Sequence, residues 1–319
     1  MEKPLIIDFN NIFLEIYLIG YSAEGESILF LLRTEGREER VVFSGVIDSF
    51  EVKSINYTDI LLHHLGIQKI DLLCWTHPDR DHSIGIDSLL NKYADIDKTK
   101  IVLPCSLFEN RSKLTADASR RCDTIKSATL RRNDELKYKI IYAQHDLRVY
   151  ARHFRNRKAE DYLLDITALS PAPSLIIPQN YHHQLDTNSF SIALLVSFSG
   201  INALFTSDIE NRTLAFLSDE LEMPQKIHYI KIPHHGSSGS DKLIDIIETL
   251  DTSDIACTTV FSKHKLPEQT IINKYKSIST HVISTSDFIN NEPAGIIGTQ
   301  YDIKNATYSY KTSNDINDF

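Results

Sequence analysis

Thr76-His77-Pro78-Asp79-Arg80-Asp81-His82-Ser83-Ile84-Gly85 decides how this chain is read. Four metal-capable side chains fall within six residues, directly after the apolar run Ile70 to Trp75. Ile86, Leu89, Leu90 and Tyr93 follow at helical spacing. A loop that leaves a strand for a helix can turn neighbouring side chains inward together, whereas strand alternation would send them to opposite faces. His77 with Asp79, and Asp81 with His82, make two natural ligand pairs. The ordinary alternative is a polar turn whose Asp caps the next helix, and it leaves the density of ligand types unexplained.

Two further stretches share this strand-to-loop character. Leu204-Phe205-Thr206-Ser207-Asp208-Ile209-Glu210 ends an apolar strand on an Asp, which is costly to bury unless paired or ligated, although it could also cap the next helix. Ile230-Lys231-Ile232-Pro233-His234-His235-Gly236-Ser237-Ser238-Gly239-Ser240 places two imidazoles at a strand end. A small-residue loop then leads into a helix, so Gly236, Ser237 and Ser238 are candidates for a phosphate-binding loop beside a metal site. Adjacent histidines alone prove little, since His63-His64 and His182-His183 also occur and read as surface or loop pairs.

Outward from these stretches, Phe13 to Leu18, Ser27 to Leu32 and Val41 to Ile47 alternate as strands of an antiparallel meander, and a helix begins at Tyr57. The stretch from Lys100 to Asp165 is mixed, with a strand at Ile101 to Leu103, helix after Ser106, and strands near Lys139 to Tyr142 and Leu147 to Tyr150. Ser191 to Phe198 and Ala203 to Thr206 form a hairpin around Ser199-Gly200-Ile201-Asn202. Helices at about Arg212 to Leu221, about Asp241 to Leu250 and after Pro267 alternate with strands at His228 to Ile232 and Ile255 to Phe261. No repeat of fixed period and no low-complexity linker interrupts this order. A single domain over 1–311 is expected, with a flexible tail at 312–319.

The 319 residues, 42% of them hydrophobic, suffice for a sizeable core. No apolar stretch approaches the roughly 20 residues that cross a bilayer, and the N-terminus lacks the features of a secretory signal. Cys74, Cys105, Cys122 and Cys257 show no CxxC spacing, so a reducing, cytoplasmic location is expected, with no membrane insertion. The net charge of −9 argues against a nucleic-acid partner, but its distribution argues the other way. Ile101 to Glu160 contains 14 Lys+Arg and 7 Asp+Glu, a local +7 that leaves −16 on the rest. Arg120, Arg121, Arg131, Arg132 and Arg155 of this basic segment are candidate nucleic-acid contacts; a solvated helical face is the plain alternative.

The ordered motifs resemble the metallo-β-lactamase superfamily: a strand ending in His-x-Asp-x-Asp-His, a later one ending in Asp, and a later one ending in His-His-Gly-Ser. The resemblance is closest to the soluble hydrolase domain of ComEC-type competence proteins. Gly25-Glu26-Ser27, Val46-Ile47-Asp48, Leu169-Ser170-Pro171, Asn188 with Ser191, and Thr285 with Ala294-Gly295-Ile296-Ile297 extend it over roughly residues 10 to 305. It implies an α+β fold, the metallo-β-lactamase αββα sandwich of two mixed β-sheets flanked by helices. It further implies that His77, Asp79 and His234 or His235 are terminal ligands, that Asp81 and His82 serve a second metal, and that Asp208 bridges the two. Relatives with His, an aromatic residue and Gly use the first position, which favours His234 and leaves His235 lining the pocket. Asp48 resembles the carboxylate that orients a ligand. Many members have a further histidine ligand between the first motif and the bridging Asp, for which His145, His153, His182 and His183 are the candidates. The family's closing Asn-x-Tyr-Gly-His-Pro appears only as Ser262-Lys263-His264-Lys265-Leu266-Pro267.

Three carboxylates and three imidazoles without a thiolate suit zinc, with manganese or iron admissible. Two divalent ions would activate a bridging water and clamp an in-line displacement; Asp81 is a catalytic candidate, and His235 or His264 could protonate the leaving oxygen. The expected function is therefore a metal-dependent hydrolase, foremost a phosphodiesterase or nuclease acting on DNA or RNA. The alternatives are a small-molecule metallohydrolase of phosphoesters, lactones or thioesters, and a non-catalytic binding subunit on the same fold.

Overall fold

A computed structural model of the chain describes residues 3–36, 40–130, 139–176, 185–218, 223–285, 288–289, 292–293 and 295–319. The first half runs β1 (Leu5–Ile6), β2 (Asn11–Ile19), β3 (Ser27–Glu35), β4 (Arg40–Ile47), a small hairpin of β5 (Glu51–Val52) and β6 (Ile55–Asn56), then α1 (Tyr57–His64) and β7 (Leu72–Cys74). It continues through α2 (Arg80–Ser83), α3 (Ile86–Tyr93), β8 (Lys100–Pro104), α4 (Leu107–Asn110), α5 (Ala116–Leu130) and β9 (Lys139–Ala143). The second half runs β10 (Leu147–Arg155), β11 (Asp161–Ala168), α6 (Pro173–Ile176), β12 (Leu194–Phe198), β13 (Ile201–Phe205), α7 (Asn211–Leu217) and β14 (Tyr229–Lys231). Next come α8 (Lys242–Ile247), β15 (Ser253–Thr258), α9 (Gln269–Ile278) and β16 (Ser279–Ser284). The pair β17 (Phe288–Ile289) and β18 (Glu292–Pro293) leads to β19 (Ile296–Asp302) and β20 (Thr307–Ser313).

These strands build two mixed sheets, ordered β20-β19-β2-β3-β4-β7-β8-β9 and β1-β10-β11-β12-β13-β14-β15-β16. The first is antiparallel from β20 to β4 and parallel from β4 to β9; the second is antiparallel from β10 to β13 and parallel from β13 to β16, with β1 added parallel to β10 at its edge, and the ligand motifs follow strands of the parallel stretches. Period-two alternation sorts the side chains into layers. Ile12, Leu14, Ile16 and Leu18 of β2 face Leu164, Ile166, Leu194, Val196 and Phe205 between the sheets. Leu29, Leu31, Leu73 and Ile101 face outward onto Leu61, Leu89, Leu90 and Ile125 of α1, α3 and α5. Leu204, Ile230 and Ala256 likewise cover Leu214, Ile244, Ile247 and Tyr275 of α7, α8 and α9. This is the αββα sandwich implied by the resemblance.

The expected meander is β2-β3-β4, and the expected hairpin turns at Ser199 and Gly200. Both turn residues have positive φ (48° and 96°), the conformation that matches the twist of a two-residue hairpin. β11 was absent from the sequence reading, because Asp161-Tyr162-Leu163-Leu164-Asp165 breaks strict alternation: Leu163 faces solvent at 46% exposure while Tyr162 and Leu164 are buried. Residues 312–319, expected as a flexible tail, instead finish β20 and turn back. Ile316 is buried there, and the Phe319 ring meets Tyr17 edge-on at 5.7 Å. A short polar sequence hid this docking, which depends on two apolar anchors. No helix of the described residues is long and apolar enough to cross a membrane.

Candidate metal centre

The centre lies where strand ends from both sheets emerge side by side. β4 and β7 are parallel, with Ile47 opposite Cys74, so Asp48 and Thr76 leave the first sheet together. In the second sheet Phe205, Lys231 and Cys257 share one row, which brings Asp208, His234, His235 and Thr259 to the same edge. Crevices beyond the carboxyl ends of parallel strands are where side chains from different strands converge. Asp48, Ser207, His234 and His235 all have positive φ, between 47° and 57°. Such strained backbone at non-glycine residues concentrates at functional sites.

Hydrogen bonds assign the imidazole protons. Asp48 accepts from the Thr76 amide (2.7 Å) and from Thr76 Oγ1 (2.6 Å), and its Oδ2 lies 2.8 Å from His82 Nδ1. An ionised carboxylate only accepts, so His82 Nδ1 carries the proton. The single Thr76 hydroxyl proton is used on Asp48, so Thr76 Oγ1 accepts from His77 Nδ1 at 3.0 Å and from Ser207 Oγ at 2.7 Å. In their neutral forms both rings therefore turn an Nε2 lone pair inward. His77 Nε2, His82 Nε2 and Asp208 Oδ1 are buried there without a hydrogen-bond partner. Buried acceptors left unpaired are expensive, and three in one place fit a cation.

Asp81, His82, Asp208 and His235 bring one donor atom each to within 4.8 Å of one another. His82 Nε2 stands 3.5 Å from Asp208 Oδ1 and 3.6 Å from Asp81 Oδ2, and His235 Nε2 is 3.2 Å from Asp81 Oδ2. On the other side of Asp208, His77 Nε2 is 3.7 Å from Asp79 Oδ2 and 4.0 Å from Asp208 Oδ2, which His234 Nε2 approaches to 3.8 Å. The residues present fit two ions sharing Asp208. Both imidazoles of the pair reach Asp208: His235, expected from the sequence to line the pocket, is 1% exposed and belongs to the tight cluster, and His234, expected to be the ligand, also has Nδ1 3.3 Å from Glu210. Two successive left-handed residues do not alternate as a strand would, so both rings can face the same carboxylate. His145 is bonded to the Leu169 carbonyl and His153 to Asp161, away from the centre; His182 and His183 lie outside the described residues.

Burial depresses His82, but the carboxylates of Asp208, Asp81 and Asp48 outweigh it and hold its pKa well above 6.5. Burial likewise depresses His234, and Glu210 with Asp208 reverses the sign. His77, dominated by burial and by neighbouring His82, is lowered. Asp208 and Asp81 lie below the usual carboxylate range, because His82 and His235 outweigh their burial. For metal-stripped protein the signs follow. His82 and His234 stabilise fully below 6.5 and lose that contribution as pH rises through their raised values. His77 acts oppositely, and the carboxylates lose theirs as pH falls below 3.8. Stripped protein is therefore expected to melt highest near pH 6.5 and progressively lower towards pH 8. Metal-loaded protein should gain on the stripped form over the same range, since ligation needs neutral imidazole. Thermal melts with and without chelator check this; a stripped-protein melting temperature that rises from pH 6.5 to 8 contradicts it.

A cavity of about 870 Å³ opens above Asp79, Asp81, Asp208, His234 and His235, and its rim includes Arg80, Arg121, Lys263 and His264. The loop Gly236 to Ser238, expected to bind phosphate, does not line it. Ser238 donates both its amide (2.9 Å) and its hydroxyl (2.7 Å) to Glu268, and a Cβ at Gly236 would meet Pro267 at 2.6 Å. Both donors of Ser238 are thus spent on Glu268 at the start of α9, and the Ser237 amide donates to the His234 carbonyl. Among the described residues, most arginines of the basic segment have an acidic partner. Arg120 pairs with Asp117, Arg148 with Asp165, Arg155 with Asp161 and Arg157 with Asp8. Arg121 differs: its Nε is anchored on the Pro78 carbonyl and its guanidinium lines the cavity. Arg131 and Arg132 lie outside the described residues.

Sequence reading missed Glu210 and Lys231. Lys231 is fully buried in β14, with Nζ 3.7 Å from Asp208 Oδ1 and 3.1 Å from the Ser207 carbonyl. The signal was there, a lone lysine inside Tyr229-Ile230-Lys231-Ile232.

No family model matches the chain, and no curated protein sequence matches it. Solved structures do. The E377D mutant of the CmlA β-hydroxylase matches with TM-score 0.47 at 9% identity, over 85% of this chain and 52% of that one. CmlA, a diiron β-hydroxylase from Streptomyces venezuelae, matches with TM-score 0.43 at 10% identity, over 88% and 48%. Zn²⁺-bound PqqB from Methylobacterium extorquens matches with TM-score 0.43 at 7% identity, over 84% and 97%. The chain spans about half the length of the CmlA chains.

Proposed function

We propose that this protein is a metal-dependent hydrolase of phosphodiesters, with nucleic acid as the favoured substrate class. The observation that carries the metal reading is the set of buried, unpartnered atoms His77 Nε2, His82 Nε2 and Asp208 Oδ1, aimed at one another by hydrogen bonds made behind them. His77, Asp79, Asp208 and His234 would hold one divalent ion, and Asp81, His82, Asp208 and His235 the other. The donor set favours zinc and admits manganese or iron. Bound there, the pair supplies Lewis acidity and a water nucleophile active near neutral pH.

The chain's own groups do the rest. Asp208 keeps the two ligand sets together, and Asp48 holds His82 in its tautomer. Arg121, Arg80 and Lys263 offer cationic groups at the cavity rim to the non-bridging oxygens of a phosphate. His264, exposed and stacked on Phe261 with ring centroids 5.2 Å apart, is placed to give a proton to a leaving oxygen. The resemblance of the ordered motifs to the ComEC-type hydrolase domain favours nucleic acid over other phosphodiesters. Arg121→Ala is expected to raise KM roughly ten- to a hundredfold, the worth of a charge-assisted hydrogen bond, with metal content unchanged.

One observation favours a second reading, a small-molecule metallohydrolase. The cavity volume falls in the range of small-ligand pockets, and of the described candidate arginines Arg120 and Arg155 are already paired. Metal content, with turnover of single-stranded DNA, RNA, a generic phosphodiester, a lactone and a thioester in zinc and in manganese, decides between them. Cleavage of nucleic acid with binding that weakens steeply in salt supports the first reading. Turnover of the small esters alone supports the second, and a metal-free, inactive wild type overturns both.

A further inference from the structure

Asp48 accounts for His77 and His82, but it touches neither Asp208 nor His235. A second buried carboxylate stands on that side. Glu26 is 2% exposed and lies just ahead of β3, where Gly25 has no room for a side chain because a Cβ would meet Phe50 at 2.1 Å. Its Oε1 is 2.7 Å from Lys231 Nζ, and Lys231 reaches Asp208. Its Oε2 accepts from Thr259 Oγ1 at 2.6 Å, and Thr259 Oγ1 lies 2.7 Å from His235 Nδ1. Its backbone amide donates to the Asp81 carbonyl at 3.0 Å.

For a neutral His235, the form that ligates a metal, the proton count along this line has one solution. Glu26 only accepts, so the Thr259 proton points at Glu26. The oxygen then accepts from His235, whose Nδ1 must carry hydrogen. His235 Nε2 is left as a lone pair facing Asp81 Oδ2 at 3.2 Å, an acceptor against an acceptor that a cation between them resolves. The same carboxylate, through Lys231, sets a fixed positive charge against Asp208. A buried ion pair gives little net stability for its desolvation cost, so its retention beside the centre calls for another role.

We propose that Glu26 is a positioning residue for the centre: through Thr259 it fixes the tautomer and ring orientation of His235, and through Lys231 it holds Asp208. The inference rests on the metal-centre reading above. Glu26 acts through its neighbours and touches no reacting atom.

Thr259→Val tests it, because valine keeps the shape of threonine and removes only the hydroxyl relay; Thr259→Ser restores the hydroxyl. Purified full-length proteins, stripped and titrated with zinc and with cobalt(II), would be compared for ions bound, affinity and the visible cobalt spectrum. Melting temperatures of the stripped forms run alongside. Thr259→Val is expected to keep one ion at wild-type affinity and bind the other about 10- to 100-fold more weakly, with an altered cobalt spectrum. Thr259→Ser should return both to wild type. Glu26→Gln, which also removes the counter-charge of Lys231, should lose more, and Lys231→Met reports the Asp208 arm separately. Two ions at wild-type affinity and an unchanged spectrum in Thr259→Val overturn the proposal while leaving the metal centre standing. A wild type that binds no ion overturns the metal-centre reading, and this inference with it.

Discussion

Asp208→Ala is expected to bring metal content from two ions per chain to one at most, and to lower turnover by at least about 10²–10³-fold, the loss seen when one strong electrostatic group is taken from a reaction centre. The reason is position. Asp208 is 3% exposed and is the carboxylate approached from both sides: His82 Nε2 lies 3.5 Å from Oδ1, and the Nε2 atoms of His234 and His235 each lie 3.8 Å from Oδ2. His77 Nε2 completes the surround at 4.0 Å. Without the carboxylate, His82, His235 and Lys231 face one another as buried cationic or cation-ready groups, which disfavours a second positive ion. Elemental analysis of protein purified without chelator, beside turnover on the substrate the wild type accepts, checks both effects. Retention of two ions with undiminished turnover would remove Asp208 from the centre.

The second large effect is on folding as well as on metal. Asp48→Ala is expected to destabilise the stripped protein by about 3–5 kcal/mol, the range for removing one partner of a buried charged pair. It leaves three buried donors without an acceptor: the Thr76 amide, the Thr76 hydroxyl and His82 Nδ1. The released Thr76 hydroxyl also stops reporting a fixed acceptor to His77, so both imidazoles lose their assigned tautomer. Affinity for the ion that His82 serves should fall about 10- to 100-fold. Denaturant titration of stripped protein, with zinc titration of the folded fraction, measures the two separately. A stability within 1 kcal/mol of wild type, on the order of an exposed substitution, would show that Asp48 is a bystander.

Much of this was legible in one dimension. The β2-β3-β4 meander, the strand β7, the Ser199-Gly200 hairpin and the His77 to His82 loop follow from alternation, apolar runs, turn chemistry and ligand density, all of them local. Asp48, Asp79, Asp81, His82 and Asp208 come together where their strand ends meet. Local reading failed where a property depends on what lies opposite. Gly236 to Ser238 has the composition of an anion loop, yet Glu268, at the start of α9, takes both donors of Ser238. The arginines of 101–160 are dense along the chain, yet Asp8, Asp71, Asp161 and Asp165 arrive from elsewhere to pair with four of them.

The sequence by itself determined which side chains can ligate a metal and which strand ends carry them, because residue type and periodicity are written along the chain. Only the tertiary structure decided which imidazole joins which carboxylate and which cations stay available to a substrate. His234 and His235 are neighbours in sequence, and two left-handed residues bring both to Asp208 Oδ2 while giving His234 to Glu210 and His235 to Asp81. Glu26, Lys231 and Thr259 are more than two hundred residues apart at their extremes, and they act as one line of hydrogen bonds and charge only because two sheets end at the same edge. Hydrogen-bond direction and charge pairing are set by distances of about 3 Å, and contacts across 233 positions of sequence exist only once the sheets have packed.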